Sequence, residues 1–521
     1  MVKYEIIKLI QKTTGEKREK IKIECPQNIS HGDYSTNIAL QLRKNPEEIA
    51  GKLKSNLFER VETVRPGFIN FFISKEYLKK QIKKILKEGD KFGRLNIGKN
   101  KKTNIEFISV NPTGQLHVGH GRGAFFGDCL ANVLEAAGYK ITREYYINDS
   151  KNSNQIQELG RTALGKGKSY LTPYLEILIK KLKPHLRKFK SETDAGYFLA
   201  QNILSDIRKF TKETLRIRFD LWVSEQSLYR QDNVKTVYNF LKNKKLVYEK
   251  DGAFWLSLSE FKQKDEVLVR KNGQATYFLT DIAYHKDKIK RGFKRIIDIW
   301  GADHQGHVSK MKAATKILGY REEFDILISQ VVRLKQGKMS KRKGQIVALE
   351  DLINEVGLDA ARFFYLTKSL DTQMEFDLGA AKKQSEKNPV YYVQYAHARI
   401  CSIMKKFKMQ NVRIKMTDQS VKLLNHPSEL KLIKQLIRLP EIIEDTVKDY
   451  QVQRLPQYAT DLSTAFHQFY RDCRIFSRDK EIKNKQSERR LRNARLSLIL
   501  ATQTALRNTL SLMGISAPEK M

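Results

Sequence analysis

Residues 104–123 read NIEFISVNPTGQLHVGHGRG. The run NIEFISV (104–110) is rich in strand formers and predicts a β-strand. Glycines at 114, 119, 121 and 123 predict a tight turn, and helical spacing then continues to about Ala137. Gly138 is placed as the stop of that helix, and KITREYYIND (140–149) predicts a second strand. This β-turn-α-β order with short connections begins a doubly wound, Rossmann-like α/β sheet. His117 and His120 stand where strand passes into helix. They belong either to a turn that happens to carry imidazoles or to a phosphate cradle, in which the helix adds its unpaired N–H groups and dipole.

Working outward, residues 1–98 predict a small α+β domain. A helical pattern lies over 30–44, PGFINFFIS (66–74) alternates like a strand, and the basic stretch 89–103 reads as a linker. Residues 99–384 form the predicted α/β domain, interrupted over about 150–265 by a polar, mostly helical segment that reads as an insertion. Alternation resumes with strands in FKRIIDIWGAD (293–303) and FDILISQVVRL (324–334), and between them a helix over 309–319 stopped by Gly319. From 385 to 521 apolar residues recur at helical spacing alone, which predicts an all-helical bundle.

The chain has 97 Lys+Arg against 58 Asp+Glu, a formal charge of +39, which points to a polyanionic partner such as nucleic acid. Part of that excess is what an A/T-rich coding sequence would give, so the charge licenses nothing finer. The four cysteines are far apart with no CxxC pair, against a disulfide framework or a cysteine zinc site. The N-terminus has no uninterrupted apolar core and no stretch is apolar enough to span a bilayer, so a cytoplasmic protein with no membrane partner is expected.

A second signal is VRLKQGKMSKRKGQI (332–346). Lys338 and Lys341 flank Met-Ser in a turn-like basic stretch, which suits transient neutralisation of a phosphate whose charge grows in a transition state. Alone it is equally well a solvated turn. Together, HVGH (117–120) and KMSK (338–341) resemble the paired signatures of class I aminoacyl-tRNA synthetases. The wording of SVNPTGQLHVGHGRG (109–123), YFLTDIAYHKDK (277–288), WGADHQGHVSKMKAA (300–314), DAARF (359–363) and HGDYSTNIAL (31–40) is similar to the arginyl-tRNA synthetase family over essentially the whole length.

That resemblance implies an arginine–tRNA ligase whose substrates are arginine, ATP with Mg²⁺, and tRNA(Arg). Arginine activation is expected to require bound tRNA, and a monomer is expected. It implies that His117, Gly119, His120, Lys338, Ser340 and Lys341 bind ATP, with the two histidines and two lysines catalytic. It implies an arginine site of Glu225, Tyr277 and Asp281 about the guanidinium, Ser109, Asn111 and His120 about the amino-acid end, and a substrate-facing His304. His304 and His307 in DHQGH also suggest a metal site, but with no Cys or third His nearby no metal, zinc included, is expected. The N-terminal domain is implied to touch the tRNA elbow and the bundle to hold the anticodon loop, with Tyr391, Tyr392, Tyr395, Arg399, Phe469, Tyr470 and Arg474 as equal candidates for core or RNA platform. One loop departs from the family: INDSKNSNQI (147–156) lacks the usual glycine and sets Gln155 two positions late, which puts Asn148, Asp149 and Gln155 in doubt as site residues. Two alternatives stay open. A cysteinyl-type synthetase is disfavoured by the absence of a cysteine cluster, and a catalytically silent tRNA-binding paralogue is disfavoured by the intact motifs.

Overall fold

The computed structural model describes residues 1–26, 28–335, 347–409, 418–475 and 485–521. It divides into two compact units, Asn96–Lys383 with Gln451–Gln453, and Met1–Leu95 with Gln384–Tyr450 and Arg454–Met521. Lys338, Ser340 and Lys341 lie outside the described residues.

The first unit is built on five parallel strands: β1 (Lys102–Glu106), β2 (Lys140–Ile147), β3 (Leu221–Ser224), β4 (Arg295–Gly301) and β5 (Glu323–Ser329). Their spatial order is β5-β4-β1-β2-β3. The chain therefore builds outward from β1 on one side, then returns to build on the other. The reversal lies between β1 and β4, where open α/β sheets form a ligand crevice at the strands' carboxyl ends. Both Gly138 (φ +89°) and Gly319 (φ +88°) follow helices, at a backbone conformation that glycine adopts without strain.

Three sequence expectations change. The first strand ends at Glu106, because Ile108 (φ +70°) and Ser109 (φ +42°) take left-handed backbone conformations that no strand allows. This costly turn is held by β2: the Tyr146 N–H donates to Ser109 Oγ (3.0 Å), and the Val110 N–H donates to the Tyr145 hydroxyl (3.1 Å). The stretch 150–265 is not wholly an insertion, since β3 lies within it and pairs with β2. Beyond the helices Asn154–Ala163, Pro173–Leu186 and Glu192–Lys209 it also holds the strands Val247–Lys250 and Ala253–Leu256, which form an antiparallel sheet with Glu266–Val269 just past its end. Finally, 324–334 is two strands: β5 stops at Ser329, and Val332–Leu334 pairs with Met374–Phe376 in a separate sheet.

A buried ionic network ties strands to the helix Tyr277–Lys290. Lys288 is fully buried and donates to Glu106 of β1 (2.5 Å) and Asp298 of β4 (2.6 Å). His285 Nε2 shares a hydrogen bond with Asp298 (2.8 Å), and Arg291 reaches Glu144 of β2 (2.6 Å), which also accepts from Tyr284 (2.6 Å). Burial alone would strip the charge from Lys288, but Asp298 and Glu106 outweigh it and raise its proton affinity.

In the second unit Tyr34–Thr36, Phe68–Ile73 and Phe58–Val64 form an antiparallel sheet, with Tyr34–Thr36 a strand inside the stretch read as helix. The C-terminal part is helical throughout its described residues, from Pro389–Met409 to Lys485–Leu512. The run 432–447 is two helices, Pro427–Leu436 and Leu439–Asp449, broken before Pro440, which occupies the first turn of the second. The buried Glu441 joins sheet to bundle by accepting from the Tyr34 hydroxyl (3.0 Å) and the Lys3 N–H (2.9 Å). Among the described residues, no helix is long and apolar enough to cross a membrane.

The helices Asn154–Ala163 and Glu192–Lys209 cross at Gly160 and Gly196, where a Cβ would be driven into the carbonyl oxygens of Glu192 and Ile156 respectively. Gly196→Ala is expected to cost about 3 kcal/mol, the upper range for overpacking. Gly51→Ala, whose Cβ would meet nothing within 4 Å, is expected to be neutral or slightly stabilising. Denaturant unfolding of the two variants checks the contrast.

Candidate active site

His117 is the N-cap of the helix Val118–Ala136, and its Nδ1 accepts the Gly119 N–H (3.1 Å). His120, one turn on, accepts the His117 N–H on its own Nδ1 (3.1 Å). The rings stack with centroids 3.5 Å apart. Burial lowers the pKa of His117, and burial with the neighbouring His117 pushes His120 down to about 3. Both imidazoles are therefore neutral near pH 7. With each Nδ1 committed as an acceptor, the proton sits on Nε2, so each ring presents one Nε2–H donor.

Other donors of this helix end are already used, which corrects the expectation of free backbone N–H groups. The Val118 N–H goes to the Val347 carbonyl (3.1 Å), the Gly119 N–H to His117, and the His120 N–H to the His117 carbonyl (2.9 Å). Gly119 has an internal reason to be glycine as well, since a Cβ there would stand 2.8 Å from the His117 ring. Arg122 in the same motif is buried and donates to the backbone carbonyls of Ser369, Leu370 and Thr372, which makes it a structural clasp. The DAARF element is another clasp: Arg362 is fully buried and pairs with Asp128 of the histidine helix (2.7 Å).

A small, open, polar cleft lies beside the sheet. Its walls come from three places: Ser150, Asn152 and Ser153 in the loop after β2, Glu225 and Tyr229 after β3, and Tyr277 and Thr280 at the start of the helix Tyr277–Lys290. Arg270 lies at its rim, exposed. Ser153 Oγ and the Tyr277 hydroxyl share a hydrogen bond (3.1 Å), and Tyr229 and Thr280 share another (2.9 Å). Glu225 is only 2% exposed, and its Oε2 has no hydrogen-bond partner. Burial, Asp281 and Asp149 together raise its pKa to about 8. Asp281 is raised to about 7, chiefly by burial, with Glu106 and Asp298 working against His285 and Lys288. No basic side chain offsets the burial of Glu225, whereas Asp281 stays high in spite of His285 and Lys288.

The structure thus brings Glu225 and Tyr277 into one cleft, with Asp281 electrostatically coupled to Glu225. The Ser109 hydroxyl is engaged by β2, and the Ser109 carbonyl accepts from Asn148 (3.3 Å). Asn111 is half-buried, and its carbonyl accepts the Thr113 N–H (2.8 Å). His304 is not brought in: it lies exposed in the turn Ala302–His307, with Asp303 as its charged neighbour at 3.4 Å, and does not line the cleft. Among the described residues no group of three or more His, Cys, Asp or Glu is placed to hold a metal ion. In the bundle, Phe469 is core. Tyr395 is exposed and Arg399 lies over the Tyr470 ring (5.0 Å), so these keep a surface role open. The wall residues Ser150, Asn152, Ser153, Tyr229 and Thr280 were not found by sequence reasoning. The one available signal was the loop's departure from the family pattern, which marked this segment as different without saying why.

This arrangement, a histidine helix at the switch point of a parallel sheet, is that of a class I aminoacyl-tRNA synthetase. A model described as "tRNA synthetases class I (R), catalytic domain" matches residues 81–155 and 148–377. Models of the arginyl tRNA synthetase N terminal domain and the DALR anticodon binding domain match residues 1–73 and 393–521. The chain belongs to the arginine–tRNA ligase family. It is 41% identical to the arginine–tRNA ligase of Carboxydothermus hydrogenoformans, over 96% of this chain and 94% of that one. It is 40% identical to that of Bacillus subtilis, again over 96% and 94%. The fold is that of the Thermus thermophilus arginyl-tRNA synthetase structure (TM-score 0.78, 22% identity, 99% of each chain).

The cleft's electrostatics generate a pH dependence. A guanidinium held between the two carboxyls would favour their ionised forms and so lower both pKa values from about 8 (Glu225) and about 7 (Asp281). Binding is then strongest above pH 8 and is lost as pH falls through 8 and 7. The KM for arginine is expected to fall at least about tenfold between pH 6 and 8 and then level off, as checked by steady-state aminoacylation across that range.

Proposed function

We propose that this chain is an arginine–tRNA ligase in which Glu225 and Asp281 hold the arginine guanidinium and the imidazole pair holds the ATP phosphates. The observation that carries the arginine assignment is the buried, unpartnered Glu225 Oε2 in a cleft that Tyr277 and Ser153 help to wall. A guanidinium is always charged and presents a planar fork of donors, which is what two adjacent carboxylates can satisfy. Lysine or citrulline would leave buried carboxylate oxygens unpaired, costing on the order of 10⁴-fold in selectivity.

In the first step the arginine carboxylate attacks the α-phosphorus of ATP. An O–P bond forms to give arginyl-adenylate, and pyrophosphate leaves. In the second, a hydroxyl of the terminal ribose of tRNA(Arg) attacks the arginyl carbonyl and AMP leaves. Neither step needs a protein nucleophile, so the enzyme supplies position and charge stabilisation. Neutral His117 and His120 donate from Nε2 toward the phosphates without carrying a charge of their own. Lys338 and Lys341 neutralise the leaving pyrophosphate, with Ser340 beside them. The described residues that close their segment support this role: Val347 and Ala348 pair with Val118 and His117, and Val347 is six residues after Lys341. Ser109 and Asn111 take the amino-acid end. Mg²⁺ would enter with the triphosphate and add positive charge to it.

Arginine activation depends on bound tRNA in this reading, and the enzyme works in the cytoplasm as a monomer. The test is ATP–pyrophosphate exchange with arginine, with and without tRNA(Arg). Exchange that requires both supports the full reading, and exchange without tRNA removes only its tRNA dependence. No exchange under either condition supports a silent tRNA-binding protein. In the same assay His120→Ala is expected to slow exchange about 10²–10³-fold while the arginine KM changes less than about threefold, because the lost donor acts on the phosphates.

A further inference from the structure

Asp149 is 2% exposed and is held by three donors, the Ser224 hydroxyl shared between its two oxygens, the Gln226 N–H and the Gln201 amide. Ser224 Oγ donates to Oδ1 (2.7 Å) and Oδ2 (2.9 Å), the Gln226 N–H to Oδ1 (3.1 Å), and Gln201 Nε2 to Oδ2 (3.0 Å). Ser224 and Gln226 are the two chain neighbours of Glu225, so one carboxylate grips Glu225 on both sides. The lacing continues next to it. The Ser150 N–H bonds the Glu225 carboxylate, and the Lys151 N–H donates to the Gln226 side chain (2.7 Å). The Ser224 hydroxyl also caps the helix Glu225–Arg230 by accepting the Ser227 N–H (3.3 Å). Glu225 is left with its carboxylate bonded by the loop and with Oε2 buried and without a partner, in a residue that lines the cleft.

We propose that Asp149 is a positioning residue for arginine specificity: it fixes the backbone on both sides of Glu225 and so holds that carboxylate in the cleft wall. This rests on the arginine site described above. Every contact to Asp149 is a donor, so only an acceptor-only group satisfies all of them, and an amide of the same shape would turn one N–H against a donor. Asp149 also supplies negative charge beside Glu225, part of what raises that group. Its two effects separate experimentally. Loss of the clamp weakens arginine binding at every pH, whereas loss of the charge moves the pH at which Glu225 ionises.

Steady-state aminoacylation by the full-length enzyme with tRNA(Arg) tests this with Asp149→Asn, Ser224→Ala and Glu225→Gln. Asp149→Asn is expected to raise the arginine KM about tenfold or more, with the ATP KM and the kcat at saturating arginine within about twofold. The acidic limb of its kcat/KM profile for arginine should shift to lower pH. Ser224→Ala, which removes one strap and no charge, should raise the arginine KM less and leave that limb in place. An arginine KM for Asp149→Asn within about twofold of wild type overturns the proposal, as does a rise shared equally with ATP. If Asp149→Asn does not fold, an unchanged arginine KM in Ser224→Ala overturns it and a selective rise supports it. Glu225→Gln separates the two levels: if it leaves the arginine KM unchanged, the arginine site itself is wrong, whatever Asp149 does.

Discussion

Lys288 is fully buried between two strands that the chain forms nearly 200 residues apart, and its ammonium holds a carboxylate from each: Glu106 on β1 and Asp298 on β4. A buried charge is tolerated only when paired and hydrogen-bonded, so this triad fixes which strands meet and how the helix Tyr277–Lys290 lies across them. The consequence reaches the cleft directly. The same helix begins with Tyr277, Thr280 and Asp281, and its far end is locked at Lys288 and by Arg291 on Glu144. Helical geometry then leaves the first turn little freedom in where it points.

Desolvation acts on both halves of the site with opposite use. At the helix start it drives His117 and His120 to the neutral form, in which backbone N–H groups hold Nδ1 and leave Nε2–H to donate. Neutral donors receive an anion without binding pyrophosphate as tightly as a fixed cation would. It drives Glu225 in the cleft, and Asp281 coupled to it, toward their protonated forms, a state that an incoming guanidinium would relieve. Of the two places only Glu225 carries a buried side-chain oxygen without a partner.

Much of this was legible in the sequence where a local rule decides the outcome. The glycines at 138 and 319 end helices because of backbone conformation, and HVGH marks a strand-to-helix turn because of its glycine and imidazole chemistry. What was not legible depends on distant partners. Ile108 belongs to a strand by propensity, but contacts from Tyr145 and Tyr146 of the next strand hold the adjoining turn. LWVS (221–224) is a four-residue edge strand, half-buried throughout, too short to show a period. Ser153 looks like any loop serine until Tyr277, 124 residues away, meets it. Motif wording carries no exposure, so it did not show that His304 lies exposed outside the cleft wall or that Phe469 lies in the core. Asp149 was doubted because its loop breaks the family pattern, yet its bonds to Ser224 and Gln226 show the loop folded onto the site.

The central claim is that the buried Glu225 and the half-buried Asp281, protonated in part when the cleft is free, ionise to receive a guanidinium. Isothermal titration of arginine into the full-length protein at pH 7, repeated in buffers of different ionisation enthalpy, counts the protons exchanged. With free values of about 8 for Glu225 and about 7 for Asp281, the account predicts release of about one proton or more per arginine bound. Binding that releases no proton, or takes one up, would contradict it.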